Sequence, residues 1–202
     1  MIYQAIHFSQ MPDPLHCTAF LFMSLLLAGI GQTFWMRSGF SKRFNRAIDG
    51  GYTFRNKPIF GENKTWRGFV FMVPATGVCF TLMHVVMRIT LAERLQLWPL
   101  TGPEYFLLGC WTGLGFMIIE LPNSFTKRQL GIAPGAPAKN RRARNTCFIL
   151  DQIDSITGGL LAIWIIVPVP LSAVVSLLIV GGLAHYVFNL VLKHLGLRQR
   201  AA

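Results

Sequence analysis

The chain has 202 residues, 52% of them apolar and only 13% charged, about half the ~25% charged content of an ordinary soluble domain. Nineteen Lys and Arg against eight Asp and Glu give a net charge of +11, which in a soluble protein would point toward nucleic acid. Here the apolar residues are gathered in blocks and the bases fall between them, with no recognition helix, zinc finger or aromatic-basic platform. The composition describes a membrane protein without a nucleic-acid partner.

Residues 1–14 carry no Lys or Arg and so lack the positive start of a cleaved signal peptide. The first apolar block, at about 15–36, reads as a retained anchor. Eight bases follow: Arg37, Lys42, Arg43, Arg46, Arg55, Lys57, Lys64 and Arg67. Asp49-Gly50-Gly51 and Asn56-Lys57-Pro58 mark turns in this loop. A second block covers about 68–87, with Arg88, Glu93 and Arg94 near its far end, and a third covers about 105–121. The next loop holds Lys127, Arg128, Lys139, Arg141, Arg142 and Arg144, and Gly131, Pro134, Gly135 and Pro137 make it irregular. Blocks at about 153–169 and 171–192 are separated by a tight turn at Pro168-Val169-Pro170. Lys193, Arg198 and Arg200 lie in the tail. Each block is long enough, or nearly so, to cross a bilayer as a helix, which takes roughly 17 to 25 residues.

With five spans, every base except Arg88 and Arg94 falls on one face, whereas four or six spans scatter them. The positive-inside rule then places the N-terminus outside and the C-terminus in the cytoplasm. The expected fold is all-α: one domain over 1–202, a polytopic bundle of five transmembrane helices in the cytoplasmic membrane, with two large cytoplasmic loops. Cys17, Cys79, Cys110 and Cys147 show no CxxC spacing and read as small apolar fillers. Gly109, Gly113, Gly158-Gly159 and Gly181-Gly182 suit close helix approach rather than catalysis.

Three of the eight acids lie at the cytoplasmic ends of two apolar blocks, beside bases. Asp151 and Asp154 are three apart, so a helix places them on one face. Two such carboxylates hold a hard cation such as Mg²⁺, which binds through one or two carboxylates and the substrate's phosphates. The plainer alternative is that they cap a helix start. Glu120 follows the run Gly115-Phe-Met-Ile-Ile119, at a depth where an ionised group needs a partner or an ion. Either metal binding or pairing with Lys127 or Arg128 answers that need.

Basic clusters flank these acids. Asn63, Lys64, Thr65 and Arg67 precede the second span, and Lys127 and Arg128 follow Ser124. Arg matches phosphate oxygens with a fork and Lys with a compact charge, and Thr65 and Ser124 can donate to the same oxygens. Topology alone accounts for bases such as Arg37 and Arg198, and Trp66 for an interfacial aromatic. The run Lys139, Arg141, Arg142, Arg144 reads as a contact with anionic lipid, with a lid over phosphate as the alternative. His84 and His185 are the polar groups at mid-membrane depth, and His185 with Asn189 reads as an interhelical hydrogen-bonding pair.

Asn63-Lys-Thr-Trp-Arg-Gly68, Ser124-Phe-Thr-Lys-Arg128 and Asp151-Gln-Ile-Asp154 together resemble the CDP-archaeol synthase group of membrane cytidylyltransferases. They are more distantly similar to the phosphatidate cytidylyltransferases. The resemblance spans most of 49–159. It implies five spans, two cytoplasmic loops, and Mg²⁺-dependent transfer of CMP from CTP to a lipid phosphate with release of pyrophosphate. It implies a metal site at Asp151 and Asp154, with Glu120 where the group usually has Asp. Nucleotide and phosphate contacts are implied at Lys64, Thr65, Arg67, Lys127 and Arg128. A CTP-dependent lipid or polyprenol kinase is the alternative enzyme, and a membrane carrier the non-catalytic one. Polar residues gathered at one face rather than mid-membrane speak against a carrier.

Overall fold

A computed structural model describes residues 11–194, without the side chains of 188, 189 and 191–194. The expectations for Asn189, the tail bases Lys193, Arg198 and Arg200, and the stretch 1–10 lie outside what is described. Six α-helices are found among the described residues: α1 (Pro14–Arg37), α2 (Trp66–Leu91), α3 (Gly102–Ile118), α4 (Glu120–Gln129), α5 (Arg141–Ile166) and α6 (Leu171–His194). A small antiparallel hairpin, β1 (Thr53–Phe54) and β2 (Lys57–Pro58), is the only paired strand structure among the described residues apart from a bridge at Ala47 and Thr65.

By length and composition α1, α2, the α3–α4 unit and α5 could each cross a membrane, and the described apolar part of α6 is shorter, Leu171–Val187. All-helical architecture was expected, but two boundaries differ from the sequence reading. The third block stops at Ile118, and Glu120 opens a separate short helix. Pro122 explains the break: it offers no N–H to the carbonyl four residues back, that of Ile118, and its ring crowds that group. The helix expected to begin near 153 begins twelve residues earlier, at Arg141, where Asn140 caps it by accepting the Arg142 N–H at 2.9 Å. Hydropathy marks only the apolar part of α5, and its polar first turns extend beyond. Asp151 and Asp154 therefore lie inside α5, and the helix-capping alternative falls away.

Hydrogen bonds sort the two ends of the bundle. Asp13 N–H donates to Gln96 O at 3.0 Å and Trp98 Nε1 to Pro168 O at 2.8 Å, gathering the α2–α3 and α5–α6 turns at one end. There Phe20 packs against Phe80, Trp98 and Tyr105, and His84 stacks on Tyr105 with 4.1 Å between ring centroids. The two long basic loops lie at the opposite end. Between the ends, helices touch at glycines: a Cβ on Gly109 would come within 2.6 Å of Thr76 O, and one on Gly158 within 2.4 Å of Gly115 O. The packing role expected for these glycines is met at Gly109, Gly113 and Gly158.

Candidate active site

The α3–α5 contact at Gly115 and Gly158 fixes the register of everything at the loop end. Gly158 lies against Ile119, so Glu120, the next residue, faces Ser155 one turn earlier in α5. The Ser155 hydroxyl donates to Glu120 Oε1 at 2.6 Å. The same hydroxyl lies 3.2 Å from Asp154 Oδ1, which accepts the Ser155 backbone N–H at 2.7 Å. Asp151 and Asp154 leave α5 on one face, and α4 covers them. Asn123 Nδ2 donates to both, at 2.8 Å to Asp151 Oδ1 and 2.7 Å to Asp154 Oδ2. Lys127, one turn further along α4, pairs with Asp151 Oδ1.

Glu120 takes its ion-pair partner from the first loop. Lys64 reaches Glu120 Oε2, rather than the Lys127 or Arg128 that sequence distance favoured. Lys64 is held for this by a short ladder: Ile48 N–H donates to Lys64 O at 2.9 Å and Trp66 N–H to Arg46 O at 3.0 Å. The outcome is one unbroken polar chain, Lys64–Glu120–Ser155–Asp154–Asn123–Asp151–Lys127, joining both basic loops.

The remaining expected residues take other places. Ser124 is buried in α4 and Thr65 is buried at the start of α2, while Asn63 is exposed. Arg67 turns away from the acids. Its Nη2 donates to Met36 O and, at 2.6 Å, to Ser41 Oγ, serving the free carbonyls at the end of α1 as basic side chains commonly do. Arg128 is buried, donates to Ile132 O, and packs where Gly61 leaves room, a Cβ there falling 3.4 Å from Arg128 Cδ. Both guanidinium groups thus hold loops in place. Lys139, Arg141, Arg142 and Arg144 are exposed.

The first loop is itself anchored by an acid the sequence marked only as a turn. Asp49 is buried and accepts N–H bonds from Gly51, Phe60 and Gly61 at 3.0, 2.8 and 2.9 Å. Burial pushes its carboxyl upward, but those backbone donors outweigh it and hold the group below its ordinary value. Its contribution is therefore complete above the unfolded value of about 4 and is lost as pH falls through the lower folded value. Asp49→Ala should cost about 2 kcal/mol and speed amide exchange at Phe60 and Gly61. That excess exchange over wild type should shrink as pH drops below about 4. The hairpin beyond Asp49 clasps α4: Phe54 and Phe125 approach to 5.9 Å and Lys57 donates to Gln129 O.

A cavity of about 350 Å³ adjoins this network between α1, α2 and α6. Leu25, Ile30, Phe69, Met72 and Leu177 wall it, and Asn63, Lys64, Thr65, Glu120 and His185 form its polar end. Asp151, Asp154 and Lys127 do not line it. The site accordingly has two halves, joined through Glu120 and Ser155.

The pair of aspartates has the chemistry for a divalent ion. Their oxygens converge on one point, the place of Asn123 Nδ2, and such ions accept one or two carboxylates with the rest of the shell from phosphates and water. Glu120 stands outside that cradle, touching it only through Ser155. Among the described residues no group of three or more His, Cys, Asp or Glu is arranged to hold a metal.

The sequence pattern of the family described as CarS-like, CDP-archaeol synthase, matches residues 42–201. The chain belongs to the CDP-archaeol synthase family. The CDP-archaeol synthase of Pyrococcus furiosus is 33% identical over 143 residues, 70% of this chain and 75% of that one. That of Staphylothermus marinus is 30% identical over 150 residues, 71% and 72% of the two chains. The match to that of Hyperthermus butylicus, 30% over 118 residues, spans 58% of this chain and just 57% of the relative's length. A solved structure described as an intramembrane enzyme for archaeal membrane lipids biosynthesis superimposes with a TM-score of 0.60 at 21% identity, over 85% of this chain and 91% of that one. That likeness is one of fold. Membership of the CDP-archaeol synthase family makes this a membrane enzyme of the CTP-using cytidylyltransferase class.

Neither Asn123 nor Ser155 was singled out from the sequence. Each adjoins a residue that was, Ser124 and Asp154, and that adjacency is the only signal the sequence held.

Proposed function

We propose that this chain transfers CMP from CTP to the phosphate of a bilayer lipid, producing CDP-lipid and pyrophosphate at the cytoplasmic face of the cytoplasmic membrane. The observation that carries this reading is the junction of an apolar cavity with a network of acids and lysines at Lys64 and Glu120. The five-span arrangement, N-terminus outside, is retained because it alone puts both basic loops and the site on one side.

The lipid tail occupies the cavity and its phosphate meets Lys64, Asn63 and Thr65 at the polar end. A phosphate monoester is mostly dianionic at neutral pH, its second pKa being about 6, so its oxygen attacks the α-phosphorus without a general base. The bond from that phosphorus to the bridging oxygen breaks and pyrophosphate leaves. Lys127 holds the triphosphate above α4, and catalysis is positioning and charge neutralisation. Asp151 and Asp154 would hold Mg²⁺, which supplies positive charge to the triphosphate oxygens. Glu120 keeps Lys64 aligned until a phosphate competes for it, and Arg67 and Arg128 keep the two loops in register.

CTP labelled on the α- or the γ-phosphate, offered with an ether-linked archaeal lipid phosphate, phosphatidate and a polyprenyl phosphate and, separately, with the corresponding lipid alcohols, tests the reaction. Label should enter lipid from the α position alone; transfer from the γ position establishes the kinase alternative. The cavity assignment has its own test. Gly29 lines the cavity and a Cβ there meets nothing within 4 Å. Gly29→Phe should therefore fold normally, raise KM for the lipid about tenfold or more, and leave KM for CTP unchanged.

A further inference from the structure

We propose that Asn123 holds the cation cradle in shape and then becomes one of its ligands, turning and withdrawing its amide so that Oδ1 faces the ion that takes the place of Nδ2 between Asp151 and Asp154. This rests on the metal reading above. Both amide hydrogens of Asn123 are engaged, one on each aspartate, at 2.8 and 2.7 Å. The nitrogen thus marks the position a bridging ion would take. Mg²⁺ lies about 2.1 Å from its oxygens, so exchanging nitrogen for the ion draws each carboxylate inward by roughly 0.6 Å. The Asn123 amide itself withdraws by about 2 Å, one metal–oxygen bond length, as the ion enters.

Asn differs here from the other donor on Asp151. Lys127 carries only donors, so an arriving cation displaces its ammonium toward the phosphates. Asn123 carries a donor and an acceptor on one planar group, and a half-turn about its last side-chain bond converts a hydrogen bond into a ligand bond. Its backbone is fixed independently of any ion, between Pro122 at the helix break and the buried Ser124. Its neutrality also matters. Two aspartates balance a divalent charge and leave the cradle neutral toward an incoming triphosphate, whereas a third carboxylate would bind the cation more tightly and repel the nucleotide.

That opposition gives the test. Mn²⁺ is titrated into the full-length protein in detergent, without CTP or lipid, and free Mn²⁺ is followed by electron paramagnetic resonance. Asn123→Asp should bind Mn²⁺ about tenfold more tightly, and Asn123→Ala roughly tenfold more weakly, the scale of effects seen for residues that orient metal sites. In turnover, Asn123→Asp should raise KM for CTP, an effect that loss of packing does not give alongside tighter Mn²⁺ binding. Asn123→Asp is nearly isosteric and decides the matter if Asn123→Ala does not fold. Mn²⁺ affinity in Asn123→Asp within about twofold of wild type overturns the inference. If the Asp151→Asn, Asp154→Asn double variant still binds Mn²⁺ as wild type does, the metal reading fails and the inference with it. Loss of binding in the double variant beside unchanged binding in Asn123→Asp sinks the inference alone.

Discussion

Asp154→Ala and Asp151→Ala are each expected to lower CDP-lipid formation by about a thousandfold or more at saturating CTP, several kcal/mol of charge stabilisation at about 1.4 kcal/mol per tenfold. Each aspartate supplies one of the two oxygens that converge at Asn123. Losing either leaves a single carboxylate against Asn123, which cannot hold a divalent ion in competition with water. Asp154→Asn makes the stricter comparison. It keeps the volume of the side chain and an oxygen for the Ser155 N–H, so the fold should survive with thermal stability close to that of wild type. Its turnover should nevertheless fall as far as that of Asp154→Ala. An Asp154→Asn protein that kept a tenth or more of wild-type turnover would show that the charge at this position is not what the reaction uses. Asp151 also binds Lys127, so Asp151→Ala should in addition raise KM for CTP by releasing the lysine from its alignment.

What could be seen in the sequence followed from the strength of each signal. Helix α1 was visible to within a residue or so because its whole length is apolar and Pro14 and Arg37 bound it. The start of α5 was not, because Arg141, Arg142, Arg144 and Asn145 are as compatible with a solvated loop as with helix turns standing clear of a membrane. The break before Glu120 was written in Pro122, but only the i−4 rule applied to Ile118 reveals it, and hydropathy averages across it. The acids and lysines were legible because charge in an apolar chain is rare and each instance needs an explanation. Their pairing was not: Lys64 reaches Glu120 across 56 residues of chain, and no local spacing encodes that. Arg67 shows the converse. It belongs to the same basic motif as Lys64, yet it points at the end of α1, because Lys64 lies in the loop before α2 and Arg67 in the first turn of that helix. Asn123 and Ser155 are uncharged and common in helices, so only their place between carboxylates distinguishes them.

Gly158→Leu tests how the site is assembled rather than what it contains. An added Cβ would stand 2.4 Å from Gly115 O and 2.3 Å from Ile119 Cγ2, and the reciprocal position, Gly115, is closed by Gly158 O at 2.6 Å. Backbone meets backbone here, so no side chain can swing aside, and α3 must shift away from α5. The shift is delivered at Ile119, the residue before Glu120, and it opens the Glu120–Ser155 bond that joins the lipid half of the site to the nucleotide half. A displacement of about 1 Å in reacting groups costs about a hundredfold in rate, and overpacking of this kind destabilises by roughly 1–3 kcal/mol. Gly158→Leu should therefore lose about two orders of magnitude in turnover while remaining inserted and helical by circular dichroism. Its neighbour supplies the control. A Cβ at Gly159 meets nothing closer than Thr112 Cγ2 at 3.4 Å, ordinary contact, so Gly159→Ala should turn over at the wild-type rate. Equal activities in the two variants would mean that the α3–α5 crossing does not set the position of Glu120, and that the lysine of the first loop finds its acid by some other constraint.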